Sequence, residues 1–278
     1  MQIHRTAGAL GAEISGIDVA RGVSARLAAD VRAVWLQHQV VFLRDQTLSV
    51  RQFLDFAKTF GVPVEYPFVK GVAGFPQVIE VKKLPHERHN FGDVWHSDTT
   101  YLPEPPMGSM LLALQVPPFG GDTLFASQYA AYEGLSGTLQ RLRTGLVGNS
   151  SSAKADVSKT GEDRIQSDGK PTSPGTAPSS FRAEHPLVRT HPETGRKSLY
   201  LNVTHTTGIV GLRDEESAPL LQFLFAHQVK PEFTCRFVWR TGSIAFWDNR
   251  CTLHNPVNDY QGHLRLMHRI TLQGDRPV

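Results

Sequence analysis

The sequence predicts a mainly β protein with helices packed outside it, a jelly roll or sandwich rather than an alternating α/β sheet. Three observations lead there. Beyond the first 63 residues the apolar runs are short and broken by Gly, Pro and Asn, and segments 78–81, 109–116, 124–126, 199–203, 233–239, 243–247 and 264–272 read as strands. Strands do not alternate regularly with long helices, as βαβ units require. The chain has 278 residues, of which 40% are hydrophobic and 20% charged, so it buries a sizeable core and is expected to form one domain over residues 1–278.

The opening residues read as strand-like pieces at 9–14 and 17–19, broken by glycine. Ser24 is a natural N-cap for a first helix, with Leu27, Val31, Val34 and Trp35 on one face. The apolar run 39–43 follows as a buried strand. Ser49 and Gln52 form a capping box for a second helix carrying Phe53, Phe56 and Phe60, which Gly61 and Pro63 close. Helical inserts are expected near 128–142 and 214–227, the latter opening on acidic residues. From 149 to 180 the only large apolar residues are Val157 and Ile165, so this stretch reads as a lid-like loop.

Composition excludes several classes. With 29 basic and 26 acidic side chains the net charge is +3, which points to neither a nucleic-acid nor a membrane partner. No apolar run approaches the roughly 20 residues of a membrane-spanning helix. The N-terminal segment carries His4, Arg5, Glu13 and Asp18 and does not resemble a secretory signal. Two cysteines, Cys235 and Cys251, fit a reducing, cytoplasmic compartment. The chain lacks internal repeats, a Walker loop, a dinucleotide-binding glycine fingerprint and an HExxH helix.

Twelve histidines invite a search for metal ligands. His4, His86, His89, His185, His191, His227 and His263 lie among polar or turn residues and are expected at the surface. His96 and Asp98 differ: two apart on an extended segment, their side chains project to the same side. An imidazole and a carboxylate side by side fill two adjacent metal positions. A further histidine completes the two-histidine, one-carboxylate arrangement of non-heme Fe(II) oxygenases. His254, between a buried-looking strand and a Pro turn, is the candidate; satisfaction by turn backbone is the plainer reading of that residue alone. In segment 264–272, Arg265, Met267 and Arg269 share one face. Two arginines on a mostly apolar strand either face solvent or, if buried, each meet an anion.

The residues so far match a known family. The chain resembles the TauD/TfdA family of Fe(II)- and 2-oxoglutarate-dependent dioxygenases over nearly its whole length. The resemblance rests on Trp-His-Ser-Asp at 95–98, Gly-Gly-Asp-Thr at 120–123, and Trp-Asp-Asn-Arg-Cys-Thr-Leu-His at 247–254. It extends to Asp259-Tyr260, to Arg265 and Arg269 lying 11 and 15 residues after His254, and to the opening at 11–18. It implies a double-stranded β-helix with outer helices, and Fe(II) held by His96, Asp98 and His254. It also implies 2-oxoglutarate bound through Arg265 and Thr123, dioxygen as oxidant, and a small anionic substrate on Arg269. Tyr66 and Val69 stand where the taurine enzymes use a histidine and a tyrosine, and Gly92 where they have an asparagine. Thr204 lies where the match to a substrate-lining phenylalanine is lost. The resemblance puts Tyr66, Val69 and Thr204 on the substrate's side and makes taurine itself a poor fit. The expected reaction is hydroxylation of an aryloxyalkanoate, alkylsulfate or sulfonate, with release of succinate and carbon dioxide and fragmentation where the new hydroxyl is unstable. Homo-oligomers occur among such relatives, but the sequence shows no evident interface. A Zn(II) hydrolase could use the same His/Asp/His set without needing Arg265 and Thr123, and a binding protein would tolerate loss of His96 or Asp98.

Overall fold

Both early helices begin where their caps require. The Ser24 hydroxyl accepts from Leu27 N at 3.2 Å, and Ser49 and Gln52 bond reciprocally in the expected box. The computed structural model describes residues 1–66, 69–90, 92, 94–143, 145–152 and 181–278. The first part of the chain forms β1 (Gln2–Arg5), β2 (Ala12–Ser15), α1 (Ala25–His38), β3 (Val40–Leu43), α2 (Val50–Lys58), β4 (Pro63–Val64), β5 (Gly71–Val72), β6 (Phe75–Lys83) and β7 (Gly108–Gln115). Next come β8 (Thr123–Ser127), α3 (Gln128–Glu133), α4 (Gly137–Arg143), β9 (Val147–Ser151), β10 (Arg182–Pro186), β11 (Val188–Thr190), β12 (Lys197–Leu199) and β13 (Thr206–Ile209). The last part holds α5 (Asp214–His227), β14 (Thr234–Phe237), β15 (Ile244–Asp248), β16 (Thr252–Pro256) and β17 (Arg265–Leu272).

The large sheet runs β1-β2-β3-β15-β7-β17-β6-β5, with β4 also paired to β17. Its strands are antiparallel except where β2 meets β3. A smaller sheet, β14-β8-β16, faces it. Alternation along each central strand builds two cores at once. Val40 and Phe42, Ala245 and Trp247, and Met267 point between the sheets against Phe125, Cys235 and Phe237. Val41 and Leu43, Ile244 and Phe246, and Ile270 and Leu272 point the other way, under α1 and α2. Trp35 of α1 stacks on Phe246 at 4.2 Å between ring centroids. Burial on both faces explains why these strands read as unbroken apolar runs. The result is a jelly roll with outer helices, as the sequence predicts.

Several local expectations need correction. The N-terminal strands are Gln2–Arg5 and Ala12–Ser15, and residues 19–21 form a single 3₁₀ turn capped by Asp18. The 128–142 insert is two helices, since the first stops at Gly134 and Ser136 accepts from Leu139 N to start the second. Segment 199–203 is not a strand beyond Leu199. Asn202 turns the chain there, its side-chain oxygen accepting from His205 N at 2.8 Å. The expected 149–180 loop starts too early, because 149–151 pair with β10 and 149–150 also with β13; residues 153–180 lie outside the described residues. His185, His191 and His227 are buried, not exposed. Each ring finds a partner far along the chain: Leu102 O, the Asp248 carboxylate and Ala131 O respectively. Among the described residues, no helix is long and apolar enough to cross a membrane.

Candidate active site

His96 and His254 come together through the backbone. His96 N donates to His254 O at 3.0 Å and His254 N donates to His96 O at 2.8 Å, a single antiparallel bridge between the 95–98 segment and β16. Asp98 lies two residues on, on the same side, as the extended spacing requires. Its Oδ1 is 3.7 Å from His96 Nε2 and 3.6 Å from His254 Nε2. One ligand atom from each residue falls within 4.8 Å of the others. His96 Nδ1 donates to Val94 O at 2.7 Å, which leaves the Nε2 lone pair for a ligand. Two imidazole nitrogens and one carboxylate oxygen, with no thiolate, are the donor set of a borderline divalent ion such as Fe(II).

The carboxylate is held from behind. Asp98 Oδ2 accepts from Ser109 Oγ at 2.7 Å and from Asn249 Nδ2 at 3.0 Å, and Trp247 Nε1 fixes that amide by donating to its oxygen at 3.0 Å. Burial alone would raise the Asp98 carboxyl; the Arg269 guanidinium, followed by His254, His96 and the Ser109 hydroxyl, outweighs it and holds the group well below the usual carboxylate range. Burial pushes both His96 and His254 down, His254 further, with the neighbouring His96 adding to the effect. Just after Asp98, Thr99 sits at φ 42 within a turn, an uncommon conformation for a β-branched residue.

Strand β17 delivers both arginines to the same side, and both are buried, which removes the solvent-facing alternative. Arg269 Nη2 reaches Asp98 Oδ1 at 2.7 Å, and its Cζ lies 5.4 Å from the Tyr66 ring centroid. Arg265 is likewise buried, its Cζ 5.6 Å from the Trp239 ring. Its Nε and Nη2 are buried with no hydrogen-bond partner among the described residues. Thr123 joins it through the same indole, since Trp239 Nε1 donates to Thr123 Oγ1 at 3.0 Å and leaves the hydroxyl proton to be given elsewhere. A buried guanidinium with orphaned donors beside an unspent hydroxyl fits a carboxylate group such as the distal end of 2-oxoglutarate.

Of the remaining expected residues, Tyr66 is half-buried and hydrogen-bonds with Tyr101, and burial raises its phenol to about 12. Thr204 Oγ1 donates to Trp95 O at 3.3 Å, next to His96. Val69 is half-buried, and no recorded contact among the described residues ties it to the cluster. Sequence reasoning missed Ser109, Asn249, Tyr101 and His205. His205 is buried, its ring 4.9 Å from that of Tyr101 and 6.3 Å from that of His96. Asn249 stood inside a quoted motif; the other three carried no local signal. Gly92, at φ 79, lies so close to His96 that a Cβ there would fall 2.7 Å from His96 Cε1.

Among the described residues a second cluster, His191, Asp248 and Cys251, has ligand-like spacing. Its lone pairs are already used. Arg250 grips both Asp248 oxygens at 2.8 and 2.7 Å, and His191 Nδ1 accepts from the Glu193 and Thr194 backbone N–H groups. This is a structural charge network, extended by Glu193 to Arg250 and Arg32.

Comparison with known proteins agrees with this geometry. The family model described as "Taurine catabolism dioxygenase TauD, TfdA family" matches residues 2–271. An "Alpha-ketoglutarate-dependent sulfate ester dioxygenase" from Pseudomonas putida is 33% identical over 100% of this chain and 91% of its own length. An "(S)-phenoxypropionate/alpha-ketoglutarate-dioxygenase" from Sphingobium herbicidovorans is 34% identical over 88% of this chain and 86% of its own. The crystal structure of a taurine dioxygenase from Burkholderia xenovorans superposes with a TM-score of 0.84 at 35% identity, covering 100% of this chain and 92% of that one. With a family model matching nearly the whole chain, and a His/Asp/His cluster and two buried arginines consistent with it, the chain belongs to the TauD/TfdA family of dioxygenases.

Proposed function

We propose that this protein is an Fe(II)- and 2-oxoglutarate-dependent dioxygenase that hydroxylates a small organic anion of the alkyl sulfate, sulfonate or aryloxyalkanoate type, with taurine disfavoured. The observation that carries the reading is the buried Arg265 guanidinium, whose Nε and Nη2 lack partners among the described residues. A hydrolase built on the same triad gives that cation nothing to bind; a dicarboxylate co-substrate does. His96, Asp98 and His254 would hold the iron. Bound there, Fe(II) supplies the activation of dioxygen that couples decarboxylation of 2-oxoglutarate, to succinate and carbon dioxide, with hydroxylation of a substrate C–H bond.

The protein's own share is placement. Arg265 and Thr123 fix the distal carboxylate, so the keto acid enters in one orientation. Arg269 takes the anionic head of the substrate, and that anchor decides which carbon faces the metal. Tyr66, Tyr101 and His205 wall the space beside it with aromatic surface and exclude water. Gly92 stands where the resemblance gives the taurine enzymes an asparagine that contacts the substrate's amine, so its departure supports a substrate without an amine; here a Cβ would fall 2.7 Å from His96 Cε1.

The test is an anaerobic visible spectrum of the protein with Fe(II) and 2-oxoglutarate, then with alkyl sulfates, alkyl sulfonates and aryloxyalkanoates in turn. A metal-to-ligand charge-transfer band that shifts with one class establishes the reaction and names the substrate type. Iron binding with no band removes 2-oxoglutarate from the account.

A further inference from the structure

The geometry points to a contest between Arg269 and the metal ion for a single oxygen of Asp98, which makes binding of the metal and of the substrate anion mutually reinforcing. The two carboxylate oxygens are not equivalent. Oδ2 is fully engaged by Ser109 Oγ at 2.7 Å and Asn249 Nδ2 at 3.0 Å. Oδ1 faces the His96 and His254 Nε2 atoms at 3.7 and 3.6 Å and is the oxygen a metal would take. The same Oδ1 holds Arg269 Nη2 at 2.7 Å, in a pair only 5% and 3% exposed. A guanidinium and a divalent cation on one oxygen repel strongly where water is excluded. Arg269 therefore has to give ground when the metal enters.

The arginine has somewhere to go. Its Nε is buried without a hydrogen-bond partner among the described residues, and its Cζ lies over the Tyr66 ring at 5.4 Å, so an anion on that side gains a second donor. An anion that draws the guanidinium off Oδ1 frees the oxygen for the metal. By linkage, the metal then raises affinity for the anion by the same factor. This second half rests on the reading of Arg269 as the substrate's anchor; the contest for Oδ1 does not.

The experiment is Mn(II) binding to the full chain, followed by the EPR signal of free Mn(II), with neither 2-oxoglutarate nor organic anion present. Arg269→Gln is expected to bind Mn(II) about tenfold more tightly than the parent, a change of the size that partners of metal ligands typically command but of opposite sign. Equal or weaker binding overturns the proposal, because an arginine that merely orients Asp98 gives a loss. If Arg269→Gln does not fold by near-ultraviolet circular dichroism, Arg269→Leu is read the same way. On the parent protein, hexyl sulfate is expected to tighten Mn(II) at least about fivefold over sodium chloride of equal ionic strength, and to have no such effect on the variant. Hexyl sulfate that binds by calorimetry yet leaves Mn(II) affinity unchanged overturns the coupling. Hexyl sulfate that does not bind counts against the substrate reading alone, and the metal-only comparison still decides the contest.

Discussion

His96 and His254 share a reciprocal pair of backbone hydrogen bonds, at 3.0 and 2.8 Å, although more than half the chain separates them. Their imidazoles lean together with ring centroids 4.1 Å apart. The spacing of two of the three proposed ligands is thus set by main chain rather than by side-chain packing.

The carboxylate has no such backbone tether, so the side chains behind it should matter most. Asn249→Ala removes a donor to Asp98 Oδ2 and strands the Trp247 indole N–H. Mn(II) or Fe(II) affinity should fall about 10- to 100-fold, and Ser109→Ala should fall in the same direction. Metal titrations check both; an unchanged constant for Asn249→Ala would mean that Asp98 is held by the turn at Thr99 instead.

Arg265 and Thr123 should differ in size of effect on 2-oxoglutarate. Loss of a buried ionic partner costs about 2–5 kcal/mol, so Arg265→Ala should come close to abolishing binding. Thr123→Val removes one hydroxyl donor to a carboxylate, worth about 1.5–3 kcal/mol, and should raise the dissociation constant about ten- to a hundredfold. Titration of the charge-transfer band measures both.

Gly92→Ala tests how tightly the His96 ring is packed. The added methyl would fall 2.7 Å from Cε1, on backbone already at φ 79. The ring has to turn, and metal affinity should drop about tenfold or more while the unfolding transition stays cooperative.

Stability should decline as pH falls, in two separate windows. His38, His96, His185, His205, His254 and His268 all have their pKa lowered mainly by burial, His205 to about 3. The unfolded chain takes up protons near pH 6.5 while these folded groups stay neutral, so stability complete above about 6.5 is lost as pH falls below it. Each such group removes up to about 1.4 kcal/mol per pH unit. Asp98 and Asp248, also lowered, act in the same direction in a lower window: their contribution holds above the ordinary carboxylate pKa near 4 and disappears below it. Chelator-treated protein should lose melting temperature between pH 7 and 5 and lose it faster below 4; a flat profile from 7 to 5 would contradict the buried neutral histidines.

The legible features were those whose cause is local or periodic. Ser24 and Ser49 announced their helices, the His-x-Asp spacing announced a shared face, and the alternation in β17 put Arg265 and Arg269 together. What stayed hidden was the identity of distant partners. Nothing near His191 shows that Asp248 will meet it, nor that Leu102 and Ala131 will offer carbonyls to His185 and His227. Asn202 reads as one more polar residue in an apolar run, yet its side chain stops the strand by capturing His205 N. Asn249 could be quoted from its motif, but its role depends on Ser109 and Trp247 arriving beside it.

Strand β17 comes after every other strand in the order of the chain and is wedged between β7 and β6 in the middle of the large sheet. During synthesis, both neighbours leave the ribosome long before the strand that joins them. Until it inserts, each presents a bare edge, and the cleft holds neither arginine. On the roles proposed for Arg265 and Arg269, the residues that would anchor the keto acid and the substrate are therefore among the last to be placed. A chain without β17 would lack both guanidiniums, whatever the arrangement of His96, Asp98 and His254. Insertion of one strand would thus make recognition of both acids a late event in the life of the chain.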